Sequence, residues 1–223
     1  MGSSRHIDFY FDFISPYAYV AWAEVQRLAT QQGCTLHAYP VLFAALLNAH
    51  GTKGPAEVPA KRVYVFKDAF RKAHLAGLPP LTPPPGHPFN PLHALRAVTT
   101  LTNAEEQASL ITALYRATWA GGGGVETLER VRDVANEAGL AGEEIATRAA
   151  GQAAKDAVRA NTERALENGA FGVPTLIHDG ELFWGVDSLP HLAERIAGKD
   201  PLPEDLVARW ASLPASAVRP GST

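Results

Sequence analysis

Residues 6–18 read HIDFYFDFISPYA, and this stretch decides the fold. Ile7, Phe9, Phe11 and Phe13 alternate with His6, Asp8, Tyr10 and Asp12, the period of two that gives a strand one apolar face. Ser15 and Pro16 follow at once. A hydroxyl at the N-cap accepts an orphan backbone N–H, and proline at the first helical position has none to satisfy, so the pair marks a helix start. Tyr19, Trp22, Val25 and Leu28 continue at helical spacing, which predicts a helix over 16–32 that Gly33 ends. Cys34 to Val41 (CTLHAYPV) then reads as a second strand, and a strand, helix and strand of these lengths make a parallel, right-handed βαβ unit.

Beyond this unit the periodicity changes. Apolar residues recur every three to four positions and predict helices over 57–76, 90–102, 104–119, 125–138, 143–149 and 152–168. Thr102 with Glu105 three residues later has the form of a capping box for the third of these. After Gly169 the chain becomes GVPTLIHDGELFWG, where Asp179-Gly180 between two short β-rich runs predicts a hairpin. An amphipathic helix is expected from about Ser188. Residues 199–223, with Pro201, Pro203, Pro214 and Pro220, are expected to add one short helix and a loose tail. The organisation is therefore α/β: a β-α-β half and a β-β-α half (6–54 and 169–198), an all-helical insert (55–168) and a C-terminal extension (199–223).

Composition narrows the function classes. Of 223 residues, 46% are hydrophobic and 19% charged, close to globular averages and far from disordered, collagen-like or coiled-coil chains. A net charge of -3 provides no global field toward nucleic acid or anionic lipid. The longest apolar run, Tyr39 to Leu47, contains Pro40 and is about half of what a bilayer requires, and the N-terminal MGSSRHID lacks the apolar core of a signal peptide. No membrane or nucleic-acid partner is expected. A single cysteine, Cys34, excludes an internal disulfide, a CxxC redox pair and a thiolate-rich zinc site, which suits the cytoplasm. The eight histidines show no HxxxH or HExxH spacing, so no metal is expected. Gly121 to Gly124 lack the flanks of a phosphate-binding loop and are read as a join between helices.

Three stretches carry a family resemblance: FYFDFISPYAY at 9–19, GAFGVPTLIHDGELFWGVDSL at 169–189 and, more weakly, GTKGPAEVPAK at 51–61. Together with the element order they make the chain similar, over about residues 6–198, to the glutathione-dependent branch of the DsbA-like proteins: the 2-hydroxychromene-2-carboxylate isomerases and kappa-class glutathione transferases. The resemblance implies a thioredoxin fold with a helical insert, glutathione as cofactor, a small aromatic substrate and a homodimer.

It also implies a site. Ser15 stands where disulfide oxidoreductases of this fold carry the first cysteine of CxxC, so it becomes the group that donates to a glutathione thiolate at the positive end of a helix. A plain N-cap is the alternative, which the Ser15-Pro16 pair taken by itself would favour. Val173-Pro174 is where such folds carry a cis-proline whose neighbouring backbone pairs with an extended peptide; an edge-strand proline is the alternative. Trp184, Gly185, Val186, Asp187 and Ser188 would receive the γ-glutamyl end, Asp187 meeting its ammonium, although Asp187 and Ser188 could be caps. Val186 and Ser188 replace the Asn and Arg of the familiar isomerase pattern.

Residues 53–72 hold six basic and two acidic side chains, and Lys61 matches a family lysine placed near the glycyl carboxylate or the substrate. Asn90 is a weaker substrate candidate that capping also explains. The segment 78–91, LPPLTPPPGHPFNP, contains seven prolines and is read as a stiff loop near the active site. Trp119 and Phe43 are candidates for an apolar substrate pocket or for the core. The expected function is a glutathione-dependent isomerase, with a kappa-like transferase or a non-catalytic peptide-binding protein as alternatives.

Overall fold

The structure is a computed structural model that describes residues 5–214. Its elements run β1 (His6–Phe11), α1 (Pro16–Gln32), β2 (Thr35–Pro40), α2 (Phe43–Ala49), α3 (Pro59–Leu75), α4 (Leu92–Thr99), α5 (Ala104–Trp119), α6 (Leu128–Glu137), α7 (Gly142–Ala150), α8 (Gln152–Glu167), β3 (Thr175–His178), β4 (Glu181–Trp184), α9 (Leu189–Ile196) and α10 (Glu204–Ala211). Four strands form one sheet in the order β2-β1-β3-β4, with β1 and β2 parallel and the other neighbours antiparallel. This is the thioredoxin arrangement, and the chain between β2 and β3 is helical. A lone parallel bridge from Thr82 to Ala120 is the single β-type contact in that stretch, tying the proline-rich segment to the end of α5. Residue 120 itself lies in no strand.

Apolar burial explains the layering. Ile7, Phe9 and Phe11 point into one large core with Trp22 and Val25 of α1, Leu110, Leu114 and Tyr115 of α5, and Leu192 and Ile196 of α9. On the opposite side Tyr10, Leu46, Ala165, Val173 and Ile177 form a second cluster under α2 and α8. The expected alternation therefore holds from His6 to Phe9 and stops at Tyr10, which is fully buried because the sheet is covered on both faces.

Several expectations are corrected. β1 ends at Phe11 rather than 13, and Cys34 sits half-buried just ahead of β2. Helix α2 had no sequence signal: its N-cap is Leu42, which has no side-chain acceptor, and Asp12 takes the Phe43 N–H at 2.9 Å from 31 residues away. Asn103, not Thr102, caps α5, accepting from Glu105 N at 2.8 Å and Glu106 N at 3.0 Å, because its extended backbone sets the amide oxygen over the first turn. The last core helix begins at Leu189 after a 3-10 turn over Val186–Ser188. The hairpin stands as read: Asp179 (φ 47°) and Gly180 (φ 80°) both have positive φ, as a two-residue type I′ turn requires, and His178 pairs with Glu181. Of the extension, α10 is present, and residues 215–223 lie outside the described residues. Among the described residues no helix is long and apolar enough to cross a membrane.

Candidate active site

The N–H groups of the segment between β1 and α1 are held largely by Asp12, and its carbonyls by side chains from the helical insert. Asp12, 1% exposed, accepts the Ile14 N–H at 3.0 Å through one oxygen and the Phe43 N–H at 2.9 Å through the other. Its carbonyl accepts the Ser15 N–H at 3.2 Å. Burial pushes the Asp12 carboxyl up to about 7, against the pull of these backbone donors, which favour the charged form. One carboxylate thus ties the entry of α1 to the entry of α2, a role the strand pattern could not show.

Ser15 is the N-cap of α1. Its Oγ accepts the Ala18 N–H at 3.2 Å and donates to the Val173 carbonyl at 3.5 Å, a long contact. Pro16 has no N–H, and the Tyr17 N–H has no acceptor among the described residues. No acidic side chain lies in the first turn of α1, so the positive end of the helix dipole beside the Ser15 hydroxyl has no charge partner from the helix itself. Val173, 7% exposed, precedes a cis bond to Pro174, and its N–H is likewise without an acceptor among the described residues. Pro174 C=O accepts the Gly185 N–H at 2.9 Å, which joins this strand to the turn that follows β4.

That turn carries the charged end of the site. Trp184 is half exposed and packs at a tilt against Phe171 with 5.1 Å between ring centres. Gly172 lies beneath it, and a Cβ there would come within 2.7 Å of the indole nitrogen, so any side chain at this position requires the Trp184 ring to move. Asp187 pairs with Lys72 of α3 at 3.2 Å, and Lys72 also meets Asp68 at 2.9 Å. Tyr17 donates its hydroxyl to Asp68 at 2.9 Å. Burial raises the Asp68 carboxyl, but hydrogen bonds from Lys72 and Tyr17 outweigh it and hold the group below its ordinary value. Burial also works against the Lys72 charge, and its two carboxylate partners overcome it, so the ammonium is held more firmly than usual. The Tyr17 phenol is pushed well above its usual range by burial and then by Asp68. Ser188 is not a cap: its backbone is helical and its hydroxyl donates to Gly185 C=O at 2.8 Å.

The structure therefore brings together Ser15, Val173, Pro174 and, through Gly185, the turn to Ser188. It does not bring Lys61 to them; Lys61 is exposed in the first turn of α3, and the lysine that reaches Asp187 is Lys72, eleven residues further on. Asn90 accepts the Leu92 N–H at 3.0 Å and so caps α4 locally. Trp119 is a fully buried core residue, its indole donating to Phe13 C=O at 2.9 Å, and the partly buried Phe43 packs against the second core cluster. The proline-rich segment does reach the site, through His87, whose Nε2 lies 3.0 Å from Ile14 C=O. Asp12, Asp68, Lys72 and His87 were not singled out from sequence as parts of the site; the positive run around Lys72 and the proline-rich segment that carries His87 pointed toward two of them, and nothing pointed toward Asp12. A cavity of about 820 Å³ lies elsewhere, between α5 and α6 beside Arg116 and Arg130, and none of the residues around Ser15 lines it. Chemistry, rather than concavity, singles out the Ser15 end.

Comparison with known proteins agrees with this architecture. A 2-hydroxychromene-2-carboxylate isomerase of Sphingobium xenophagum is 29% identical over 191 residues, covering 85% of this chain and 96% of the relative. The glutathione S-transferase kappa 1 of Caenorhabditis elegans is 27% identical over 221 residues, covering 93% and 97%. A solved 2-hydroxychromene-2-carboxylate isomerase superposes with a TM-score of 0.78 at 26% identity, covering 94% of this chain and 99% of that one. The DSBA-like thioredoxin domain matches residues 6–197, and the chain belongs to that family, in the company of the isomerases and kappa-class transferases that it resembles.

Proposed function

We propose that the protein is a cytoplasmic, homodimeric glutathione-dependent isomerase of the 2-hydroxychromene-2-carboxylate type, acting on an aromatic ring-cleavage product. One observation carries this reading: the Ser15 hydroxyl stands at a helix N-terminus with no acidic residue in its first turn, and the free N–H of Tyr17 shares that end. A thiol placed there needs its pKa lowered by about two from 8.5 to be mostly ionised at neutral pH, about 2.7 kcal/mol, which hydrogen bonds to a charged acceptor and a helix dipole can supply together.

The fit to glutathione rests on the backbone. The unpartnered Val173 N–H, buried beside Ser15, is a donor that an extended peptide would satisfy. At the other end the N–H groups of Val186 and Asp187 have no acceptor among the described residues, and the Asp187 side chain is 81% exposed and open to an ammonium. When bound, glutathione supplies a thiol nucleophile able to add reversibly to an activated double bond. Ser15 donates to its sulfur, Val173 and Pro174 align the peptide, and the turn from Trp184 to Ser188 orients its γ-glutamyl end. Lys61 and Asn90, on α3 and before α4, are kept for the substrate. The division into 6–54 with 169–198, 55–168 and 199–223 belongs to the same reading.

A kappa-like transferase is the second reading, favoured by Val186 and Ser188 where the isomerase pattern has Asn and Arg. Stoichiometry separates the two. With a cis ring-cleavage product and limiting glutathione, complete conversion with glutathione recovered supports the isomerase. Conversion that stops when glutathione is consumed supports the transferase, and no glutathione binding by calorimetry overturns both.

A further inference from the structure

We infer that His87 is a positioning residue for Ser15: its Nε2–H clamps the peptide that precedes Ser15, so that the hydroxyl and the free Tyr17 N–H converge on one point. The inference rests on the thiol-activating role proposed for Ser15.

The need for a clamp follows from the capping geometry. Ile14 precedes the N-cap and lies outside the helix, whose first intrahelical bond runs from Tyr19 N–H to Ser15 C=O, while the Ala18 N–H goes to Ser15 Oγ; no helical N–H serves Ile14 C=O. His87 supplies the missing donor at 3.0 Å. A carbonyl only accepts, so Nε2 must carry the proton and the tautomer is set. Burial lowers the imidazole pKa, Ile14 C=O opposes this, and the Arg62 charge adds to the lowering, so the ring is neutral at pH 7. Nδ1 is buried with no partner, so this histidine holds a single productive contact. The ring is wedged edge-on between Phe66 at 5.3 Å and Trp119 at 5.5 Å, with Phe89 at 6.2 Å. Arg62 donates to the His87 carbonyl, holding its backbone from α3.

Trp119 completes the argument. Its indole N–H holds Phe13 C=O at 2.9 Å, so two consecutive carbonyls ahead of Ser15 are each held by a ring N–H from the helical part of the chain. With Asp12 on the Ile14 and Ser15 N–H groups, every polar backbone atom from Phe13 C=O to Ser15 N is engaged. A helix N-terminus activates a thiol only along a narrow range of directions, and such a framework keeps that direction constant. Displacing a reacting group by about 1 Å costs up to about a hundredfold in rate.

Two variants separate the N–H from the ring. His87→Phe keeps the aromatic packing without a donor, and His87→Gln returns an N–H near the position of Nε2. His87→Phe is expected to lower kcat about tenfold with little change in the KM for glutathione, and to raise the pKa of bound thiol, read by thiolate absorbance, by about one. His87→Gln is expected to recover most of both. Equal losses in the two variants, or a His87→Phe enzyme with unmoved kcat and thiol pKa, would overturn the clamp in favour of ring packing. Should the wild-type protein bind no glutathione, the proposed function fails by itself, and amide exchange without ligand still decides. Faster exchange at the hydrogen-bonded Ser15 and Ala18 amides in His87→Phe but not in His87→Gln supports the clamp; no difference rejects it.

Discussion

The two ends of the candidate site are built on opposite principles. At the Ser15 end everything is buried and most contacts are backbone: Asp12 is 1% exposed, Val173 7% and Ser15 8%, and the geometry is set by the core beneath. At the Asp187 end the contacts are between charges at the surface, with Lys72 23% and Asp187 81% exposed. A charge in the first setting is costly and its environment moves its pKa by units, whereas an ion pair in the second is screened by water and contributes about 0–1 kcal/mol. The buried end is suited to altering the chemistry of a bound thiol, and the exposed end to selecting and releasing a zwitterionic headgroup. Substitutions should therefore divide: stability and kcat at one end, binding and its salt dependence at the other.

The largest effect is expected at Asp12. Burial raises its folded-state pKa to about 7 from 3.8, so the fold favours the protonated form. Its contribution is fully present below about pH 4 and is lost as pH rises through 7, a fall on the order of 4 kcal/mol. Denaturant unfolding from pH 4 to 8 should show stability of the wild-type protein declining relative to Asp12→Asn, which cannot ionise. At pH 4 the variant should be weaker by about 1–3 kcal/mol, because its amide can accept from only one of the Ile14 and Phe43 N–H groups. Parallel pH profiles would show that Asp12 is hydrated and that the two ends of the site do not differ in this way.

Next comes Ser15. Ser15→Ala should lower turnover at least about tenfold at pH 7 and raise the pKa of bound thiol, while loss of the cap costs roughly 1 kcal/mol of stability. Ser15→Asp retains a cap acceptor but puts a negative charge beside the thiolate, so it should keep most of the stability and lose turnover. An active Ser15→Asp enzyme would reduce Ser15 to a helix cap.

The same contrast decides what could be read from sequence. The sheet, α1 and the hairpin were legible because their signals are local: the alternation in HIDFYF, the Ser15-Pro16 start, the positive φ needed at Asp179 and Gly180. Ser15 and Val173 were legible through motifs at both ends of the helical segment. Asp12 was read as one more polar residue on an outward face, and the second layer that buries it, α2, is itself capped by Asp12, so neither could be inferred without the other. Lys72 looked like one of six basic residues in a solvated stretch; its ion-pair partners lie one turn back on α3 and in the turn before α9, and Tyr17 of α1 joins through Asp68. The proline-rich segment was expected near the site, but the role of His87 within it could not be read, since the carbonyl it serves is 73 residues away.

At the exposed end, Asp187→Ala is expected to weaken glutathione binding by about 1 kcal/mol, roughly fivefold, and less at high salt. Lys72 already occupies one Asp187 oxygen and would compete with a ligand ammonium. Lys72→Met should therefore leave glutathione binding unchanged or tighten it two- to threefold at low salt, on the order of 0.5 kcal/mol. It should also lower stability, because Asp68 loses its strongest partner. Calorimetry at two salt concentrations checks both variants. Weaker binding in Lys72→Met would mean that Lys72 itself holds a ligand carboxylate.

The smallest effect is expected at Lys61, and it tests whether the exposed end extends along α3. Lys61 lies in the first turn of that helix, where a positive charge opposes the helix dipole, and no partner holds it among the described residues. Lys61→Ala should therefore leave the melting temperature unchanged or slightly raised. A screened surface charge contributes little to binding, so the KM for a carboxylate-bearing substrate should rise only about twofold, with the KM for glutathione constant. If the glutathione KM rises instead, Lys61 meets the glycyl carboxylate and the peptide runs further toward α3 than the Val173-to-Asp187 line proposed here. If neither constant moves, only Lys72 among the α3 lysines serves the site, and the matching position of Lys61 in the family pattern has no counterpart in this chain's chemistry.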